Sequence, residues 1–281
     1  MRTLADMPIT QAILPVAGLG TRFLPWTKAV PKELLPIGNQ PIIALLVDEA
    51  LSIGITEICF VINRGKEMIP EYFYARPALE AELERRGKLD LLSQLKRYDS
   101  VSFHTVYQEE QLGDGHAVLQ AADWVKSDTV AVLFGDDLIA GPITGLQQLV
   151  AARERIAPEL RAESAMLCLE HVARERVSRY GIAELAEQGT DRLKRVVGMV
   201  EKPTPEDAPS QYAIVGKYLI PRSTLSALPS VHSGSGGEIR LIDALILQQG
   251  QGTPIYGCEV EGKRFDTGTP EGYREAVKVL G

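Results

Sequence analysis

Residues 129–139 read TVAVLFGDDLI: five consecutive apolar residues, Val130 to Phe134, then one glycine and the paired carboxylates Asp136 and Asp137. A run that is apolar on both faces suits a parallel strand covered by helices on both sides. Similar runs stand at Gln11 to Ala17, Glu57 to Ile62 and Val101 to Tyr107, separated from one another by 20 to 40 residues. The segments between them are helix-like. Pro41 to Ser52 carries Ile42, Leu45, Leu46 and Ala50 on one face, and Ala78 to Lys96 is charged and amphipathic. Alternating strand and helix predicts an α/β fold with a Rossmann-like mixed, mainly parallel sheet flanked by helices. From Ser164 onward the strand-like runs Met166 to Leu169, Arg195 to Val200, Ala213 to Ile220 and Ile255 to Val260 come closer together, which predicts a smaller mixed β region in the second half. Ala208 to Tyr212 and Pro229 to Gly237 have ordinary loop compositions, and no repeat of fixed period occurs.

The chain has 281 residues, 45% of them apolar and 24% charged, which is the balance of a folded globular protein. Thirty basic against thirty-seven acidic side chains leave a net charge of −7, which disfavours nucleic acid as a partner but leaves room for a locally basic pocket that binds small anions. Cys59, Cys168 and Cys258 are far apart and lack metal-ligand spacing, as do the four histidines, so a structural zinc site is not expected and a reduced cytoplasmic setting is. The first fifteen residues hold no apolar run of signal-peptide length, and no stretch of 18 uncharged apolar residues occurs, so no membrane partner is expected.

Functional loops of open α/β sheets lie at the carboxyl ends of the strands. After the first strand, Gly18 and Gly20 let the backbone turn with free N–H groups facing a ligand, and Arg22 and Lys32 add cations along a path stiffened by Pro25 and Pro31. This suits a polyphosphate. The third glycine of a dinucleotide fingerprint is missing, since Phe23 stands there, and no GxxxxGK[ST] occurs. After the third strand, Gln108 offers an amide suited to the imide edge of a pyrimidine and Gly113 permits close approach of a base, while Asp114 could instead cap the helix starting near His116, itself read as structural. Asp136 and Asp137 at a strand end call for a cation, a helix to cap, or water; Mg²⁺ is the natural cation, and alternation lets only one of the pair face it. Glu201 and Lys202 end a strand ahead of Pro203, pointing apart unless the strand end twists.

GLGTRFLPWTKAVPKELLP, residues 18–36, resembles the signature of the sugar-1-phosphate nucleotidylyltransferases, and its portion PWTKAVPKELLP closely resembles the bacterial members that join UTP to glucose 1-phosphate, the UTP–glucose-1-phosphate uridylyltransferases. YQEEQLGDGHA, FGDD, RYGIAEL, VEKP, AIVGKYLI, GGEIRLIDALI and RFDTGTPEG follow in order, so the resemblance spans about Thr10 to Glu275. Trp26, where the family commonly has a small residue, and Asp114, where the uridylyl enzymes often have leucine, depart from the pattern.

The resemblance implies one nucleotidyltransferase domain over residues 1–281, with 9–140 binding the nucleotide and 141–281 the sugar phosphate. It implies catalytic roles for Arg22, Lys32 and Lys202, nucleotide contacts from Ala17, Gly18, Gly20, Glu33, Gln108 and Gly113, and sugar contacts from Gly181, Glu201, Gly216 and Glu238. Asp243 falls on the helix after Glu238. Asp136 and Asp266 would hold Mg²⁺. The implied substrates are UTP and glucose 1-phosphate, in a homo-oligomeric dimer or tetramer. Use of dTTP is the nearest alternative; a metal-dependent glycosyltransferase and a non-catalytic sugar-nucleotide sensor stand further off.

Overall fold

A computed structural model describes residues 8–186, 190–231 and 237–281. The stretch read for signal character therefore lies in part, at 1–7, outside the described residues, as do 232–236 of the loop read over Pro229 to Gly237.

The chain forms β1 (Gln11–Pro15), β2 (Pro36–Ile37), β3 (Gln40–Pro41), β4 (Glu57–Ile62), β5 (Ser102–Tyr107), β6 (Thr129–Leu133), β7 (Asp137–Ala140), β8 (Ala165–His171), β9 (Gly181–Leu185), β10 (Leu193–Glu201), β11 (Tyr212–Pro221), β12 (Ile255–Glu259) and β13 (Lys263–Asp266). Nine of these make one sheet in the order β5-β4-β1-β6-β11-β8-β12-β10-β9. The strands β5, β4, β1, β6, β8, β12 and β9 run one way, and β11 and β10 run against them. The expected direction pattern, a parallel first half and a mixed second half, is present.

Side-chain alternation sorts the strands into two cores, one on each face of the sheet. Ala12, Leu14, Ile58, Phe60, Ile62, Ala131 and Leu133 face one core, where the helices Ile42–Leu51 and Gly145–Arg153 pack. Ile13, Cys59, Val61, Val130 and Val132 face the other, beneath the helices Asp114–Leu119 and Leu241–Gly250. Because both faces are covered there, the central strands β1, β4 and β6 are buried and apolar almost throughout, which is why their continuous runs announced them. The segment read as one helix over Ala78 to Lys96 is two, Pro77–Arg85 and Leu89–Leu95. Gly87, at φ +66°, takes the left-handed turn that ends the first.

The two-stranded ladder of β7 and β13 stands apart from the main sheet and sets Asp137 opposite Asp266. The register of β11 does the rest of the positioning. Lys217 lies opposite Leu133 on β6, and Ile214 lies opposite Gly181, which in turn pairs with Glu201. The later motifs are thereby carried to the edge where β6 ends in Asp136. No helix among the described residues is long and apolar enough to cross a membrane.

Candidate active site

A cleft of roughly 430 Å³ opens at the carboxyl ends of β1, β5 and β6. Its lining includes Ala17, Gly18, Gly20, Lys32, Glu33, Gln108, Gly113, Asp136 and Glu238, so most of the expected nucleotide residues meet there.

The glycine turn is held from behind. Lys66 Nζ donates to the Val16 carbonyl at 2.7 Å, Asn63 Nδ2 to that of Ala17 at 2.6 Å, and Thr27 Oγ1 to that of Gly20 at 2.8 Å. With its carbonyls tied on the outside, the turn leaves the N–H groups of Ala17, Gly18, Leu19 and Gly20 without an acceptor among the described residues. Such a row of free donors is an anion cradle. Gly20 sits at φ +66°, the left-handed conformation that favours glycine.

Glu33 does not reach the cleft as a free carboxylate: it is 1% exposed and accepts two hydrogen bonds from Lys66, at 2.9 and 3.1 Å. Burial pushes the Glu33 carboxyl up and the Lys66 ammonium down, and each pulls the other part of the way back. Lys66 and Asn63 escaped the sequence reading. A lysine and an asparagine just after a strand look like ordinary surface residues until the strand order places them behind the turn.

Asp136 and Asp266 converge on Gly268. A Cβ built there would lie 2.5 Å from Asp136 Oδ2 and 3.0 Å from Asp266 Oδ1. Thr267 ties the two turns together, its N–H and hydroxyl donating to the Asp136 carbonyl at 2.7 and 2.9 Å. Lys32 Nζ donates to Asp136 Oδ2 at 2.6 Å. Burial alone would raise the Asp136 carboxyl, but Lys32, with Arg264 and Arg22 behind it, outweighs burial and holds the acid below its usual range. Asp266 has no such partner, so burial, and then the charge of Asp136, push it up. Arg22 Nη1 reaches the Gly268 carbonyl at 3.4 Å, which brings the second loop cation to the same place.

Asp137 does not share this role. It is 7% exposed, accepts from the Gly216 N–H at 2.8 Å and pairs with Arg264. A Cβ on Gly216 would lie 2.5 Å from its carboxylate. The close approach that Gly216 permits within the chain is to Asp137. Asp114 also differs from its reading. Its carboxylate accepts from the Leu241 N–H at 2.9 Å, at the start of the helix Leu241–Gly250.

On the far side, Gly181 would bring a Cβ within 3.1 Å of Glu201 Oε2, and Lys202 Nζ lies 3.3 Å from Glu201 Oε1. The two meet because Lys202 leaves the strand at φ +48°, the only positive value of a non-glycine residue among those described. Such backbone costs about 1–3 kcal/mol and persists only where the surrounding structure enforces it. Glu238 is exposed at the rim beside Arg240, and Trp26 is 59% exposed outside the cleft lining.

A sequence profile of the nucleotidyl transferase family matches residues 11–280. The chain is 38% identical to the UTP–glucose-1-phosphate uridylyltransferase YngB of Bacillus subtilis over 97% of its own length and 90% of that protein's. It is 36% identical to the UTP–glucose-1-phosphate uridylyltransferase of Komagataeibacter xylinus, over 93% of its own length and 90% of the relative's. Among solved structures, the UTP-bound UGPase of Acinetobacter baumannii superposes with a TM-score of 0.86 at 34% identity, covering 96% of this chain and 92% of that one. A UDP-glucose pyrophosphorylase complexed with UDP-glucose does so with 0.82 at 32% identity, covering 96% and 97%.

Proposed function

The chain belongs to the nucleotidyl transferase family, and from that premise we propose that it transfers the uridylyl group of UTP to α-D-glucose 1-phosphate, forming UDP-glucose and pyrophosphate. The observation that carries this reading is the row of four free backbone N–H groups, Ala17 to Gly20, sharing one cleft with Gln108.

In the reaction a phosphate oxygen of glucose 1-phosphate attacks the α-phosphorus of UTP in line with the departing pyrophosphate. Two anions must meet, so the work is neutralisation and alignment, and no side-chain nucleophile is required. The cradle and Lys32 hold the triphosphate, with Lys32 exchanging its Asp136 contact for phosphate. Arg22, exposed at the rim beside Gly268, stabilises charge that develops on the α-phosphoryl group and the leaving group. Lys202 holds the attacking phosphate, and Glu201, with Gly181 and Glu238, takes the sugar hydroxyls. Gln108 and Gly113 read the uracil.

Asp136 and Asp266 fit a magnesium site: two hard carboxylates aimed at one point where Gly268 leaves space. Among the described residues no third His, Cys, Asp or Glu joins them, which suits an ion that takes the rest of its ligands from water and substrate phosphates. When bound, the ion offsets the charge of the phosphate oxygens. The buried, unpaired thiols Cys59, Cys168 and Cys258 support a reducing, cytoplasmic setting. Dimer or tetramer assembly, implied by the family resemblance, belongs to the same proposal.

The test is pyrophosphate release from UTP and glucose 1-phosphate with Mg²⁺, with and without chelator, against dTTP, CTP and ATP at equal concentration. UTP should lead the panel and chelation should stop turnover. Turnover that survives chelation removes the two aspartates from a metal role, and a panel led by another nucleotide removes the uridylyl reading.

A further inference from the structure

The Gln108 side chain is 2% exposed yet lines the cleft, and both hydrogen bonds that it makes use its nitrogen. Nε2 donates to the Gly113 carbonyl at 3.0 Å and lies 3.2 Å from His116 Nδ1. Oε1 has no partner among the described residues. The amide thus turns its donor into the protein and leaves its acceptor for the cleft. That orientation decides which base the site can read. An acceptor matches the N3–H donor of uracil or thymine; a donor would match the bare N3 of cytosine.

A neutral imidazole has one proton for its two nitrogens, and both nitrogens of His116 face amides. Gln120 Nε2 lies 3.1 Å from His116 Nε2 and 3.1 Å from the His116 carbonyl. If the ring proton sat on Nδ1, it would point at the Gln108 NH₂ group, two donors face to face, and the Gln108 amide would be driven to turn its nitrogen into the cleft. If it sits on Nε2, Nδ1 accepts from Gln108, and Gln120, whose nitrogen donates to the His116 carbonyl, gives up its ring contact. Burial breaks the tie: Gln108 is buried and donates to the Gly113 carbonyl, which can only accept, whereas Gln120 is half-buried and can turn away from the ring. We infer that His116, held as the Nε2–H tautomer, is a positioning residue that locks the Gln108 amide with its oxygen toward the base and so makes the site select uracil over cytosine. The inference rests on the uridylyl reading and adds a residue that never touches the nucleotide.

The experiment compares kcat/KM for UTP and CTP, with glucose 1-phosphate fixed, in wild type, His116→Ala and His116→Asn. Alanine leaves the amide held by the Gly113 carbonyl alone; asparagine can place an oxygen acceptor near the Nδ1 position. Loss of one hydrogen bond of ordinary strength corresponds to about a tenfold change, so His116→Ala should lower the UTP:CTP ratio by about that factor and His116→Asn should restore most of it. A folded His116→Ala protein with the wild-type ratio overturns the inference while leaving the uridylyl reading intact. A wild type that itself prefers another nucleotide overturns the uridylyl reading instead. Should the alanine variant not fold, ¹⁵N chemical shifts of the wild-type ring decide: a pyridine-like Nδ1 is expected, and a protonated Nδ1 overturns the assignment.

Discussion

Asp136 and Asp266 are like charges facing one glycine, and Lys32 bonds only the first of them. Burial alone would lower the Lys32 ammonium, but the carboxylates around it, Asp136 foremost and then Glu33 and Asp266, more than offset this. With its pKa raised by burial and by Asp136, Asp266 holds a proton more tightly in the folded chain than in the unfolded one. Its protonated form therefore favours the fold below the ordinary carboxylate range, and that contribution is lost as pH rises through the raised value. Asp266→Asn should consequently stabilise the metal-free protein at neutral pH by only about 0.5 kcal/mol, because the group is partly exposed and solvent screens the repulsion, with a gain that shrinks as the pH falls through that window. The same change should lower kcat by about 10²–10³, the usual effect of removing one preorganised contact. Thermal melts across pH, without and with Mg²⁺, check the first statement and steady-state rates the second. Identical melting of the two proteins at every pH would show that the carboxylates do not repel.

Lys217 on β11 is fully buried, with Nζ 2.8 Å from Glu49 Oε2 and 3.0 Å from the Asp137 carbonyl. Glu49 belongs to the helix Ile42–Leu51, and its other oxygen accepts from the Leu146 N–H at 2.9 Å, near the start of the helix Gly145–Arg153. One ion pair thus joins two helices, a central strand and the turn that carries Asp136. Lys217→Ala should destabilise the protein by about 3–5 kcal/mol, because it strands the Glu49 charge in the core. Lys217→Met combined with Glu49→Gln, which keeps an acceptor for Leu146, should recover most of that loss in urea titrations; a double variant no better than the single one would place the damage in packing instead of charge. Neither this pair nor Lys66–Glu33 was legible in the sequence, where a single cation looks solvated and only the fold supplies its partner. The strands were legible for the opposite reason. Burial on both faces forces a continuous apolar run such as Val130 to Leu133, and such a run needs no partner to be recognised. The break at Gly87 lies between these cases: a helical period continues across a glycine, and only the left-handed backbone there tells that the helix has stopped. The pairing of β7 with β13 was out of reach, since two four-residue strands far apart in sequence leave no periodic trace.

At the scale of the whole molecule, the −7 net charge coexists with a cleft whose cations, Lys32 in its lining and Arg22 at the neighbouring Gly268, stand beside free N–H groups. The acidic excess keeps bulk polyanions away, and the local field admits two small ones. The sheet arranges where they enter. The turns after β1, β5 and β6 supply Gly18, Gln108 and Asp136 from the parallel side, while β11, running against them, brings Gly181 and Glu201 from the mixed side. If residues 9–140 bind the nucleotide and 141–281 the sugar phosphate, the two substrates should leave separate footprints in amide hydrogen exchange. UTP with Mg²⁺ should slow exchange in the segments 16–21 and 108–113 while leaving 181–184 and 199–203 near their free rates. UDP-glucose should extend the protection to both of the latter if, as proposed, Glu201 and Gly181 take its glucosyl group. Protection of 181–184 and 199–203 by UTP alone, as strong as that by UDP-glucose, would mean that the nucleotide spans both sides of β11 and that the division into halves is wrong.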